Sequence, residues 1–195
     1  MKKILVLLFI VFLIGISFAE EKTLFGGDLK ELEHGIYGAV DSRLTMIADE
    51  FSYINGWRVA WVIDHSFAIG YTSMDLVNEV DLTDSLELEL EYSGFYFEYI
   101  YNSQELIHLT GKLLAAWGDT RINLSHFDDQ AEYAKDNNIF VIEPSATVEI
   151  NLLKWMRLDI GASYRYVGDV DLPRYSTSDF SGPAGEITLK FGWDM

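Results

Sequence analysis

What most limits the fold of this chain is alternation. From Gly35 onward, apolar and polar residues trade places over stretch after stretch. That period of two suits a β-strand and not a helix. The first stretch sets Ile36, Gly38, Val40, Ser42, Leu44 and Met46 against Tyr37, Asp41, Arg43 and Thr45. The second sets Trp57, Val59, Trp61 and Ile63 against Arg58, Ala60, Val62 and Asp64, and the third runs from Ser66 to Met74. The fourth lies within Leu86 to Tyr101 and reverses halfway. Leu86, Leu88 and Leu90 have the opposite parity to Phe95, Phe97, Tyr99 and Tyr101. A bulge near Ser93-Gly94 is expected there, because one extra residue swaps the faces of a strand.

Four more stretches complete the pattern. Ile107, Leu109, Leu113, Ala115 and Trp117 oppose His108, Thr110, Lys112 and Ala116. Phe140, Ile142, Ala146, Val148 and Ile150 oppose Glu143, Ser145, Thr147, Glu149 and Asn151. Leu158, Ile160, Ala162, Tyr164 and Tyr166 oppose Arg157, Asp159, Gly161, Ser163 and Arg165. Ile187, Leu189, Phe191 and Trp193 oppose Glu186, Thr188, Lys190 and Gly192. Eight strands is an even number, and an all-β, antiparallel up-and-down barrel is the expected fold.

Strands of this kind cross a bilayer only if they close, so that no backbone group is left unpaired. Connection lengths favour such a transmembrane barrel. Those after strands two, four and six are tight, at Asp64-His65, Asn102 to Glu105 and Leu153 to Trp155. Those after strands three, five and seven are longer, at Asp75 to Ser85, Asp119 to Asn138 and Gly168 to Gly182. Short periplasmic turns and long external loops are the asymmetry of outer-membrane barrels. The first connection, around Asp49 to Asn55, is expected on the external side too.

The N-terminus agrees with export. Lys2 and Lys3 precede the apolar run Ile4 to Ile16, which ends at Ser17-Phe18-Ala19, the plan of a signal peptide cleaved after Ala19. The organisation expected is therefore a signal peptide at 1–19, a periplasmic segment at 20–34 and an outer-membrane barrel at 35–195. Cleavage would remove two lysines and no acid, taking the formal charge of −17 two units lower. So acidic a chain is not built for nucleic-acid phosphates, whose binding rests on Lys and Arg. With no cysteine, neither a disulfide framework nor thiolate chemistry is available. The mature chain suits one domain.

The polar face carries both signs of charge: Asp41, Arg43, Glu98, Lys112, Glu143, Glu149, Arg157, Asp159, Arg165, Glu186 and Lys190. An eight-stranded barrel is just wide enough for side chains to fill it. These residues are therefore expected to form a packed, paired interior plug, with His108 as an interior hydrogen-bonding residue. Trp57, Trp61, Tyr99, Tyr101, Trp117, Trp155, Tyr164, Tyr166 and Trp193 lie near strand ends and are expected at the membrane interfaces.

In these features the chain resembles the small eight-stranded outer-membrane barrels of the OmpX and OmpA-transmembrane type. The resemblance is architectural and rests on the signal, the strand count, the loop alternation and the aromatic last strand from Glu186 to Trp193. It implies a monomer in outer-membrane lipid and lipopolysaccharide, delivered by the outer-membrane assembly machinery, with no cofactor. Members typically end on an aromatic residue, whereas Asp194-Met195 follow here. No motif for a specific activity matches, and no appended peptidoglycan-binding domain is expected.

Two further readings compete with a non-enzymatic surface protein. Ser66 beside His65, and Ser125 beside His126, suggest a lipid-modifying enzyme, although neighbours on a strand point to opposite sides. A soluble lipocalin-like carrier would turn the apolar face inward around a ligand. The acidic loops, with Asp75, Glu79, Asp81 and Asp84, Asp119, Asp128, Asp129, Glu132 and Asp136, and Asp169, Asp171 and Asp179, lack calcium-loop spacing. They read as solvated surface and no metal is expected.

Overall fold

The computed structural model describes residues 33–78, 81–83, 86–124, 137–170 and 175–195. The expected signal peptide and residues 20–32 of the expected periplasmic segment lie outside this range. The strands are β1 (His34–Ile47), β2 (Glu50–Ile63), β3 (Phe67–Leu76), β4 (Asp81–Thr83), β5 (Leu86–Tyr101), β6 (Ile107–Leu124), β7 (Asn137–Leu153), β8 (Met156–Gly168) and β9 (Gly182–Trp193). One short helix, α1 (Thr177–Phe180), lies between β8 and β9.

Every strand pairs antiparallel with its neighbours, β1 pairs with both β2 and β9, and β3 pairs with β5. The sheet thus closes into an eight-stranded barrel, with β4 attached as a short extra strand on β5. Pairing sets the stagger. A walk across partners from Ile63 passes Phe67, Tyr99, Gly111, Ala146, Ala162, Gly185 and Leu44, and returns to β2 at Tyr53, ten residues away. Such a shift obliges the strands to tilt against the barrel axis. The end that carries Glu33 and Met195 is here the lower end, and the end that carries α1 the upper.

Two local expectations are corrected. The first connection is not a loop over Asp49 to Asn55. β1 and β2 pair as far as Ile47 with Glu50, and the turn is Ala48-Asp49, with φ of 51° and 65°. Two adjacent residues of positive φ match the right-handed twist of a hairpin. Nor is there a bulge at Ser93-Gly94: β5 runs in unbroken register from Leu86–Leu124 to Tyr101–Leu109. The hydrophobic parity reverses on β5 while the strand itself stays regular. Leu88, Leu90 and Tyr92 point inward and are buried, Glu89 and Glu91 point outward, and the inward row continues with Tyr96 and Glu98.

The same inversion occurs around the barrel. In the lower part the inward rows carry the charged side chains, with Tyr37, Ala60, Val62, Ala68 and Ile100 among them, and the outward ones are apolar. Towards the upper end the inward rows become Ile47, Ile54, Met74, Ile139, Val141 and Val167, a buried cluster that includes Phe180 of α1. Helix α1 is held there by Ala48 N–H donating to the Asp179 carbonyl at 2.8 Å and Val167 N–H donating to Ser181 Oγ at 2.9 Å. The interior is therefore a polar chamber topped by an apolar lid.

Candidate functional site

Side chains alternate along a strand, so one parity of each strand supplies the barrel interior. All eleven charged positions expected on the inward face are buried there, and Arg58 and His108 join them. Arg58 is absent from the expected network, although its place between Trp57 and Val59 gives it inward parity. Six acids then stand beside six Arg and Lys residues among the described residues. Burying an ion is costly unless it is paired and hydrogen-bonded, and the pairing is dense.

Lys190 Nζ is the hub of the lower group. It lies 2.5 Å from Glu98, 3.0 Å from Asp159 and also against Glu149. Glu149 further accepts from Arg157 Nη1 at 2.7 Å and meets His108 Nε2 at 2.7 Å. Tyr37 donates to Glu98, and Tyr96 donates to Tyr37 at 2.9 Å. Oxygens of Glu98, Glu149 and Asp159 lie within 4.8 Å of one another, spacing that a metal ion could bridge. The Lys190 ammonium already supplies the cation among them.

The upper group is built on Arg58 and Arg43. Arg58 Nε donates to Asp41 at 2.6 Å and Nη2 to Thr188 at 3.0 Å. Arg43 Nη1 donates to Glu143 at 2.6 Å and to the Tyr92 hydroxyl at 3.1 Å, and Lys112 reaches Glu186 at 3.3 Å. Glu186 also lies 3.8 Å from Arg43 Nε.

The outer face is the converse. The nine expected interfacial aromatics all point outward, between 44% and 73% exposed, beside Ile36, Val40, Leu109, Leu113, Val148 and Ile160. Cross-strand rings meet along this face, Phe67 with Tyr99 at 5.2 Å, Tyr71 with Phe95 at 5.4 Å and Phe140 with Tyr166 at 5.8 Å between centroids. Trp57 falls midway along β2, whereas Trp61, Tyr101, Trp155 and Trp193 sit near the lower end.

Sequence-adjacent serine and histidine do not combine. His65 lies in the lower turn, where Nε2 meets Glu33 at 2.5 Å and Nδ1 the Met195 main-chain oxygen at 3.1 Å, so both nitrogens face partners other than Ser66. Burial opposes its protonation, but those two hydrogen bonds outweigh burial and hold the His65 imidazole above its ordinary value. Ser125 and His126 lie outside the described residues, as do Glu79, Asp84, Asp128, Asp129, Glu132, Asp136 and Asp171. A lipocalin-like cavity is contradicted, since the inward face through most of the barrel is ionic and the apolar face looks out.

These features define a class of fold: a closed eight-stranded barrel with its charged face inside and its apolar face outside. Solved structures share the closed-barrel fold. The N-terminal β-barrel domain of OprF from Pseudomonas aeruginosa superimposes with a TM-score of 0.60 at 4% identity, over 84% of this chain and 100% of that one. Neisserial surface protein A gives 0.52 at 13% identity, over 84% and 99%. Ail, the attachment invasion locus protein of Yersinia pestis, solved with the heparin analogue sucrose octasulfate, gives 0.52 at 11% identity, over 84% and 99%. Identities so low establish likeness of fold. No protein-family description and no curated protein matches the sequence.

Proposed function

We propose that this chain is an integral, non-enzymatic outer-membrane protein whose barrel is a sealed anchor for an acidic outer end. The observation that carries this reading is the outward aliphatic and aromatic surface around an ion-paired interior. In water such a surface would far exceed the apolar patches that soluble monomers expose, whereas in lipid it is the required one. Residues 1–19 would direct export, the outer-membrane assembly machinery would insert the barrel, and lipid and lipopolysaccharide would surround a monomer. The outward aromatics would form the interfacial girdles, and the buried charges would plug the lumen in place of a water-filled channel.

Exposed Asp49, Glu50, Asp75, Glu89, Glu91 and Asp169 gather at the upper end. Two of the structural matches are described as a surface protein and an attachment protein, which fits a role at the cell surface. A polyanion such as the heparin analogue bound by Ail is nonetheless a poor match for so acidic an end, because like charges repel. A cationic partner suits it better. The test is membrane fractionation with an unboiled gel, followed by conductance in a planar bilayer. Retention in the outer membrane after a high-salt wash, a mobility shift on boiling and no steady conductance are expected. Release into the soluble periplasm would overturn the membrane reading, and an open-channel current would overturn the sealed lumen.

A further inference from the structure

Among the described residues, every buried Arg or Lys in the barrel but one lies within 4.0 Å of a carboxylate. The exception is Arg165, which is wholly buried. Its Nε donates to the Phe180 carbonyl of α1 at 3.1 Å. That bond directs the guanidinium towards the lid, and Nη1 and Nη2 find no protein acceptor among the described residues. The pairs Ile142–Tyr166 and Ser145–Ser163 bracket Glu143 and Arg165 on facing strands, but Glu143 Oε2 accepts from Arg43, and its Oε1 is buried without a hydrogen-bond partner.

In the upper group Arg43, Arg58, Lys112 and Arg165 stand with Asp41, Glu143 and Glu186, and the matching excess of acids, Glu98, Glu149 and Asp159 beside Lys190 and Arg157, sits in the lower group. A buried guanidinium without a counter-ion is costly. Just below it, on the paired positions Ser145 and Ser163, two buried hydroxyls also lack protein partners and are free to donate.

We infer that the interior beneath α1 binds one small monovalent anion of the halide class, held by Nη1 and Nη2 of Arg165 with the serine hydroxyls as supporting donors. The anion serves as the local counter-ion that Arg165 lacks among the described residues. Burial under Phe180, itself wholly buried, restricts the site to small ions, and exchange requires α1 to lift from the barrel mouth.

Two readouts on the purified full chain test this. Crystals soaked in sodium bromide should give an anomalous peak at hydrogen-bonding distance from Nη1 or Nη2 of Arg165. In detergent, the temperature at which the fast unboiled gel form is lost should rise with sodium bromide by on the order of a few degrees over sodium gluconate of equal ionic strength. Arg165→Met should abolish that difference. Should this variant fail to fold, the bromide map on the unaltered chain still decides. No peak at Arg165, a water there in bromide and halide-free crystals alike, or equal midpoints in the two salts would overturn the inference.

Discussion

Lys190 shows how much of the interior rests on single side chains. Three carboxylates converge on its ammonium, and its Nζ also stands 5.1 Å from the centre of the Tyr37 ring. Lys190→Met leaves Glu98 and Asp159 beside Glu149 with Arg157 on Glu149 as the remaining cation, and breaking a buried ionic cluster from one side costs about 3–5 kcal/mol. The urea midpoint of the refolded barrel should fall accordingly, and Lys190→Met with Asp159→Asn should recover part of the loss. At the lower turn, His65 is raised above its ordinary 6.5. Its contribution is therefore complete below that value and is lost as pH rises through the higher folded value. A barrel carrying His65→Asn should show a flatter pH dependence of stability just above pH 6.5 than the unaltered chain, and identical slopes would refute this contribution of His65. At this scale the sequence is half legible. Alternation assigns Asp41, Arg43, Glu143 and Lys190 to one face, yet it cannot say that Arg43 meets Glu143, a hundred residues away. Such partners are set by the closure of the sheet.

Among the elements, β5 is the most informative, because one regular strand serves two environments. From Tyr101 up to Phe95 its outward side chains are aromatic, and beyond them they are Glu91 and Glu89. A strand that leaves lipid for water must exchange its outward apolar residues for charges. Its inward row then does the reverse, since the interior above the charged layer packs as an ordinary apolar core. Parity reversal in sequence therefore admits two explanations, a bulge or a change of surroundings, and only the register distinguishes them. Phe97→Arg should cost about 2–4 kcal/mol on folding into vesicles, and Glu91→Arg about 0–1 kcal/mol. Equal costs at the two positions would argue against a membrane boundary between them. Gly70 of β3 is a further constraint on this wall. Its partner Tyr96 lies over it, and a Cβ there would stand 2.5 Å from the Tyr96 ring. Any side chain at 70 would displace the ring whose hydroxyl donates to Tyr37.

For the molecule as a whole, the decisive event is the pairing of β3 with β5 and of β1 with β9, which leaves the barrel wall without a free edge. Closure gathers charges from seven strands into one chamber, and near balance of sign makes that chamber tolerable without water. The sequence by itself determined the all-β class, the strand order and the two faces of each strand, because a period of two is a local property that each strand writes independently. It also grouped the charged residues on one face, with Arg58 left out of the set. Tertiary structure alone decided which face is inside, since periodicity is unchanged when a barrel is turned inside out. It decided the ten-residue stagger and the ion pairs that follow from it, the seating of Phe180 in the upper mouth and the isolation of Arg165. These depend on contacts between residues far apart in the chain, whose geometry exists only once the sheet has closed.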